Sequence, residues 1–540
     1  MSNISKVNIE NFKLFDGRFS LVLNPELNII VGNNETGKST ILEAINLALS
    51  GIINGKFIKG ELSQYLFNNQ VEKRYIDSLS SSNPISPPSI LIEVFLESGD
   101  YAYLEGTNNS ERKNSAGVSL KIEFDNEYQG EYQELIKHEV LTIPIEYYKI
   151  TWQSFARQTI TSKSIPFKSI LIDSSSSRYN NGSDIYISRI IKSDLGEKEK
   201  VDISQAYRKL KESFMTDKAV LKINERITES AQISEKSVEI SVDLATKDAW
   251  ENGLTTYVNE VPFIHIGKGE QCLVKTNLAL AKNSSKNAGC ILIEEPENHL
   301  SHSKLNQTIK SLVNNVNDKQ IIITTHSSYV ANKLGIDNLI LLNEQQVTRF
   351  SDLDSSTEDY FKKLPGFDTL RLILSNKAIL VEGPSDELIV QKAYMDIYNG
   401  VLPIENGIDV ISTGLSFKRL LELAKKLNKK VAVITDNDTN YQLYIVKKYE
   451  DYWNCNHIGI FADKREGLNT LEPQFADANR DNFPTLCDVI GIDFSRYNGM
   501  IPISNYMKHH KTDWALKVFE SKVKLQYPEY ILNAIDWINE

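Results

Sequence analysis

The stretch "LNIIVGNNETGKSTILEAINLAL" (residues 27–49) decides the fold of the first half of the chain. It reads as a buried strand, a Gly-rich loop and a helix, in that order. Within it, "GNNETGKS" at 32–39 satisfies the pattern G-x-x-x-x-G-K-[ST] in the context that pattern requires. Backbone N–H groups from Gly32 through Asn33, Asn34 and Gly37 to Lys38 would cradle phosphates at the positive end of the helix. Lys38 would neutralise β- and γ-phosphates, the Ser39 hydroxyl would complete a Mg²⁺ shell, and Thr40 closes the set. The bland alternative is a helix start that happens to contain glycine, and the strand–loop–helix context argues against it.

Three further pieces point the same way. "GCILIEEPENHLSH" (289–302) is a second buried strand ending in Glu294 and Glu295. The first carboxylate would hold Mg²⁺ through water and the second would polarise the attacking water as general base. Asp is usual at the first place, and Glu294 is one methylene longer. "IIITTHSSYV" (321–330) is a third buried strand, ending at His326, which is placed to sense a γ-phosphate. In "HIGKGEQC" (265–272), Gly267, Gly269 and Gln271 stand just before an expected helix, "LVKTNLALA". Such a loop caps the γ-phosphate bound in a partner subunit by backbone N–H donation.

The 540 residues are too many for one ordinary core, so two or three domains are expected. With 41% hydrophobic and 24% charged residues the composition is that of a soluble globular protein. No apolar run approaches the roughly 20 residues that span a bilayer, and "MSNISKVNIENFKLF" lacks the apolar core of a secretion signal. A cytoplasmic protein with no membrane partner is the expectation. Cys272, Cys290, Cys455 and Cys487 form no CxxC pair and no zinc spacing. The net charge of −11 speaks against a surface coated with nucleic acid, without excluding a local basic groove.

Along the chain, "SILIEVFLE", "VSLKIEFD" and "IEYYKITWQSF" give residues 88–155 a β texture. "DSSSSRYNNGSD" (173–184) marks a linker or exposed loop. Residues 185–233 are charged and helix-like, either a dimer contact or a solvated helical hairpin. A strand is expected at "VEISVDLAT", and a polar connector at 351–371. Beyond it, alternating apolar strands and amphipathic helices imply a mainly parallel α/β sheet.

That last third carries a second set of acids. "AILVEGPSDELIV" (378–390) is an apolar strand ending in Glu382, with Asp386 four residues later. "VITDNDTN" (433–440) ends in Asp436 and Asp438, and "LNTLEPQF" supplies Thr470 and Glu472. On an extended chain Asp436 and Asp438 would point to one side roughly 6–7 Å apart, repelling by about 2.5 kcal/mol at an effective dielectric near 20. Open α/β sheets build their sites at such strand ends, and Mg²⁺ or Mn²⁺ would turn the repulsion into attraction. The alternative is that each acid caps a following helix; for Asp386 alone that reading wins. The lysine-rich helix 417–430 reads as a solvated face. In "MKHHKTDWALKVF" (507–519) Lys511 precedes a helix and is placed to stabilise a scissile phosphate, with His509 or His510 nearby.

The four N-terminal motifs resemble the ABC-type ATPase heads of the SMC and RecF kind, in which ATP is sandwiched between two protomers. Glu382 with the "DND" acids resembles the TOPRIM domain of topoisomerases, primases and certain nucleases. Together they resemble the OLD (overcoming lysogenization defect) family of ATP-dependent nucleases, including its "EEPENHL" form of the second motif. The resemblance implies an α/β chain: an ATPase head (1–160 and 236–350) interrupted by a helical insertion (161–235) that has no family signature and is either a dimer contact or a solvated hairpin, then a Rossmann-like TOPRIM nuclease domain with a parallel sheet (372–540). It assigns Glu382, Asp386, Asp436, Asp438, Glu472 and Lys511 to the nuclease site. It implies ATP and Mg²⁺ or Mn²⁺ as cofactors, DNA as substrate and a homodimer or higher homo-oligomer. Relatives include the nuclease subunit of Gabija phage-defence systems and retron-associated effectors, so antiviral defence, with a helicase or a retron reverse transcriptase and its DNA/RNA product as partner, is the biology implied. The alternatives are an ATP-driven DNA clamp or sensor without cleavage, and a TOPRIM nuclease acting on RNA or tRNA. A topoisomerase would need a positioned nucleophilic tyrosine, and none of the 24 tyrosines stands out.

Overall fold

The computed structural model describes residues 3–540 apart from 98–100, 174–178, 181–182, 185–194, 232–237, 243–255, 281–287, 316–318, 350–351, 355–356, 358–370 and eight single positions. The expected linker at 173–184, the connector at 351–371 and the start of the helix-like stretch at 185 lie largely outside the described residues. The chain divides into two compact units, Met1–Asn28 with Gly37–Thr325 and Ile29–Thr36 with His326–Glu540.

The first unit opens with β1 (Ile4–Glu10) and β2 (Arg18–Val22) and includes α1 (Lys38–Ser50), while most of β3 (Leu27–Val31) and the loop after it, Ile29–Thr36, count with the second unit. Then come β4 (Ile90–Leu96), β5 (Ser115–Phe124) and β6 (Tyr148–Ser154), which complete an antiparallel sheet in the order β2-β1-β4-β5-β6. A separate parallel ladder joins β7 (Lys168–Asp173), β8 (Ala288–Glu294) and β9 (Gln320–Thr325). Between β7 and β8 lie α2 (Glu197–Thr216), α3 (Lys218–Ala231) and α4 (Lys268–Leu280). The span expected as a helical insertion, 161–235, therefore begins with a core strand, "KSILID". The first of its helices among the described residues starts at Glu197.

The strand expected at "VEISVDLAT" is not formed over Val238–Val242, and the rest of that motif lies outside the described residues. Its backbone pairs with polar side chains of α3 instead. Asn224 exchanges two hydrogen bonds with Ile240, and the Thr228 hydroxyl does the same with Val238. A side-chain ladder satisfies the main chain as a neighbouring strand would.

In the second unit, β10 (Leu339–Asn343) runs parallel to β3 and turns back into β11 (Gln346–Arg349). Then β12 (Lys377–Val381), α5 (Pro384–Ile397), β13 (Ile408–Ser412), α6 (Phe417–Lys426), β14 (Lys430–Ile434) and β15 (Ile458–Phe461) follow in alternation. The four strands make a wholly parallel sheet in the order β13-β12-β14-β15. The chain leaves β12 for one side and leaves β14 for the other, so the crevice between their carboxyl ends is the topological switch point where open α/β sheets place their sites. Later helices include α7 (Leu471–Ala478), α8 (Met500–His509), α9 (Lys511–Glu520) and α10 (Glu529–Asn539). Ile379, Val381, Tyr394, Phe475, Trp514 and Ile535 are among the fully or almost fully buried residues that join these helices to the sheet. Among the described residues no helix is long and apolar enough to cross a membrane.

Candidate functional site

The phosphate loop is shaped by two glycines with different jobs. A Cβ on Gly32 would stand 2.4 Å from the Leu342 carbonyl oxygen, so only glycine lets β3 and β10 lie this close. Gly37 caps α1 at φ +97°, a left-handed conformation that a side chain resists, and its Cβ would meet the Phe15 ring at 2.8 Å. Lys38 follows as the first residue of α1 and is buried. Burial pulls its ammonium below the ordinary lysine value, and the carboxylates of Glu295, Glu297 and Glu294 push it back up. The structure thus brings the loop lysine and the strand-end acids into one electrostatic cluster. Asn34 and Ser39 are exposed, Thr40 is buried, and Asn33 Nδ2 donates to Asn376 Oδ1 at 2.5 Å.

Glu294 ends β8 opposite Thr324. The next residue, Glu295, has φ +44°, rare for a residue with a side chain. Its amide donates to Thr324 O (2.9 Å), and its Oε2 accepts from Asn298 Nδ2 (2.7 Å). Glu297 Oε1 accepts from the Thr325 hydroxyl (2.6 Å). Neither Glu297 nor Asn298 stood out in the sequence, although the short polar run after the strand was the available signal. The helix expected after "HIGKGEQC" begins earlier, at Lys268, so Gly269 and Gln271 belong to its first turn and exposed Gly267 just precedes it. A Cβ on Gly269 would come within 2.3 Å of His299 O, which packs this helix start on the turn after Glu295. The Gln271 amide donates to Phe263 O (2.9 Å) and Ile266 O (3.2 Å). His326 follows β9 and is exposed.

At the switch point, Glu382 follows β12 and Asp436 lies two residues past β14, strands paired at Leu380↔Val433. A cavity of about 500 Å³ is lined by Glu382, Asp386, Asp436, Glu472, Lys508 and Lys511. Asp386 does both things that its sequence allowed. At the third position of α5 its Oδ2 accepts from Gly383 N (3.2 Å) as a helix cap, and it also lines the cavity. Glu472, buried in the first turn of α7, accepts from the Thr470 hydroxyl at 2.8 Å. Burial, and then the negative charge of Glu382 and Glu472, pushes Asp386 up to about 7. Burial with Glu382, Asp386, Glu472 and Asp438 pushes Asp436 up to about 9. In both, burial is the larger cause and the crowding of like-charged carboxylates adds to it.

Asp438 departs from expectation. The strand stops at Ile434, so Asp436 and Asp438 do not project from one extended edge. The chain turns at Asn437, which is fully buried. Its Nδ2 reaches Asp463 O (2.9 Å), Arg465 O (3.0 Å) and Leu468 O (3.3 Å), while its Oδ1 accepts from Thr439 N (3.0 Å). That anchor leaves Asp438 at φ +45° and Thr439 at φ +70°, with Asp438 exposed beyond the cavity lining. Asn437 and Lys508 went unnoticed in the sequence. The His509 and His510 rings bond back to Asn505 O and Tyr506 O and do not line the cavity.

The cavity fits a divalent cation in kind, since it gathers hard oxygen donors with surplus negative charge. Among the described residues no group of three donors forms a finished coordination cage. Mg²⁺ does not need one, because it binds through one or two carboxylates and completes its shell with water and substrate phosphate.

Comparison with known proteins follows this division. The profile of the AAA ATPase domain family matches residues 3–331, and that of the overcoming lysogenization defect protein-like TOPRIM domain matches 373–438. No curated protein sequence matches the chain. Similar solved structures include the SMC head domain from Thermotoga maritima, at 14% identity and TM-score 0.30, covering 63% of this chain and 94% of that one. The C-terminal region of the Burkholderia pseudomallei OLD protein is similar at 19% identity and TM-score 0.24, covering 30% of this chain and 97% of that one. With a match over more than half of its length, the chain belongs to the AAA ATPase domain family, and an OLD-like TOPRIM domain follows its ATPase domain.

Proposed function

We propose that the chain is a nucleotide-regulated, metal-dependent endonuclease that cuts DNA at the cavity between β12 and β14. The observation that carries this reading is the meeting of four carboxylates with two lysines in one cavity at the switch point. A surface that only held phosphate would have no use for a lining of anions.

A divalent cation bound there supplies a clamp for the phosphodiester oxygens and lowers the cost of charge on the leaving oxygen. Glu382 and Asp436 would hold that cation, and Asp386 and Glu472 would extend the acidic lining for a second one. Lys511 at the head of α9 and Lys508 at the end of α8 face the phosphate with positive charge. In the ATPase part, Lys38 meets the nucleotide phosphates, Glu294 belongs to the Mg²⁺ side, and Glu295, held by Asn298, takes the proton of the attacking water at its carboxylate. Exposed Gly267 and the start of α4 are the surface offered to the nucleotide of a second copy, which makes a homodimer the smallest active assembly. A role in defence against phage follows from the family likeness alone.

Supercoiled plasmid incubated with the protein and Mg²⁺ or Mn²⁺ tests the reading. Nicking that EDTA stops, and that Glu382→Ala or Asp436→Ala abolishes while nucleotide binding persists, is the expected result. Undiminished cutting by both variants overturns the site.

A further inference from the structure

Glu382 has one oxygen that is already spoken for. Thr435, buried just past the end of β14, donates from Oγ1 to Glu382 Oε1 at 2.6 Å. The amide of Asp436 donates to the same atom at 2.9 Å. Two donors converging on Oε1 fix the plane of the carboxyl group and leave Oε2 for a ligand in the cavity. Tyr449 is fully buried beside Thr435, and its hydroxyl has no hydrogen-bond partner among the described residues other than the Thr435 hydroxyl it adjoins. A phenol O–H in that place has the Thr435 oxygen as its natural acceptor. Such a donor would keep the threonine proton aimed at Glu382.

We propose that Thr435 is a positioning residue for the metal-dependent reaction. It locks Oε1 of Glu382 so that Oε2 meets the divalent cation without first having to be ordered. The inference rests on reading the cavity as the cation site. Outer partners of this kind orient ligands, and losing one typically weakens metal binding. A threonine that only ended the strand would leave metal affinity untouched when its hydroxyl was replaced by a methyl group.

The test measures Mn²⁺ binding to the full chain by titration calorimetry without DNA, and plasmid nicking across a range of Mn²⁺ concentrations. Thr435→Val is expected to weaken Mn²⁺ binding about 10–100-fold and to raise the half-saturating Mn²⁺ for nicking in step. At saturating Mn²⁺ the maximal rate should stay within about threefold of the parent, because the hydroxyl orients a ligand rather than touching substrate. Thr435→Ser should restore affinity, and the cation-free melting temperature identifies any variant that has misfolded; Thr435→Ala then replaces valine. Unchanged Mn²⁺ affinity in folded Thr435→Val, with Glu382→Gln losing both binding and cutting, overturns the role of Thr435 and leaves the site standing. Unchanged binding and cutting in Glu382→Gln overturns the cation site, and the positioning role with it.

Discussion

Asn437 makes four hydrogen bonds with one side-chain amide, and they determine where the acids around it can go. Asn437→Ala would leave the Asp463 carbonyl without its donor and take one of two donors from the Arg465 and Leu468 carbonyls, so a loss of about 1–3 kcal/mol is expected in denaturant unfolding. Asp436 makes the opposite point. It keeps its proton up to about pH 9 in the folded chain, whereas an unfolded Asp releases it near pH ~3.9. Between those values the unfolded state sheds a proton that the folded state retains, so raising the pH costs the cation-free fold stability. Asp436→Asn should therefore melt less far below its acid value than the parent when the pH goes from about 5 to about 8. Parallel decline of the two proteins would place the strain elsewhere. The acids were legible in sequence because carboxylates after apolar runs are conspicuous. Thr435, Asn437 and Lys508 were not, because the value of a hydroxyl, an amide or a surface ammonium lies in what the fold sets against it.

Among the elements, periodicity revealed the strand–loop–helix of the phosphate loop and the strands of the parallel sheet. It failed where polar contacts outbid it. Residues 238–242 alternate like a strand, yet Asn224 and Thr228 of α3 take their backbone. The short "KSILID" run hid beside a polar patch, although it pairs along its whole length with β8. The phosphate loop itself is stiff at its glycines. Gly37→Ala combines a positive φ with contact against the Phe15 ring, so about 1–3 kcal/mol of strain is expected at the entrance to α1. Nucleotide binding measured by calorimetry should fall sharply, and a variant binding as tightly as the parent would show that the loop tolerates remodelling.

For the whole molecule, the two ends of the chain carry separable chemistry. Lys38→Ala should lose nucleotide binding and keep Mn²⁺ binding, since the lysine belongs to the ATPase acids and not to the carboxylate cavity. Glu295→Gln, which keeps the loop but blunts the base, should accumulate as an ATP-bound dimer in analytical ultracentrifugation. A monomer at saturating ATP would remove the partner-facing role of Gly267. Family and architecture were readable from order and spacing, but the proposed dimer would depend on a surface that only a second copy completes. The site at the switch point has a further property. Glu382 and Asp436 extend from neighbouring strands whose separation is set by the backbone ladder, about 4.8 Å, and not by the helices packed around them. The ruler is the peptide chain itself, so this one pair of acids is spaced independently of the helices that carry Asp386, Glu472, Lys508 and Lys511. Ile535→Ala, in the middle of buried α10, should cost about 2–5 kcal/mol of stability yet leave the affinity for Mn²⁺ where it was. A helix such as α10, which contributes nothing to the cavity lining, is free to drift in sequence, trading stability up and down, while the spacing of Glu382 and Asp436 stays constant.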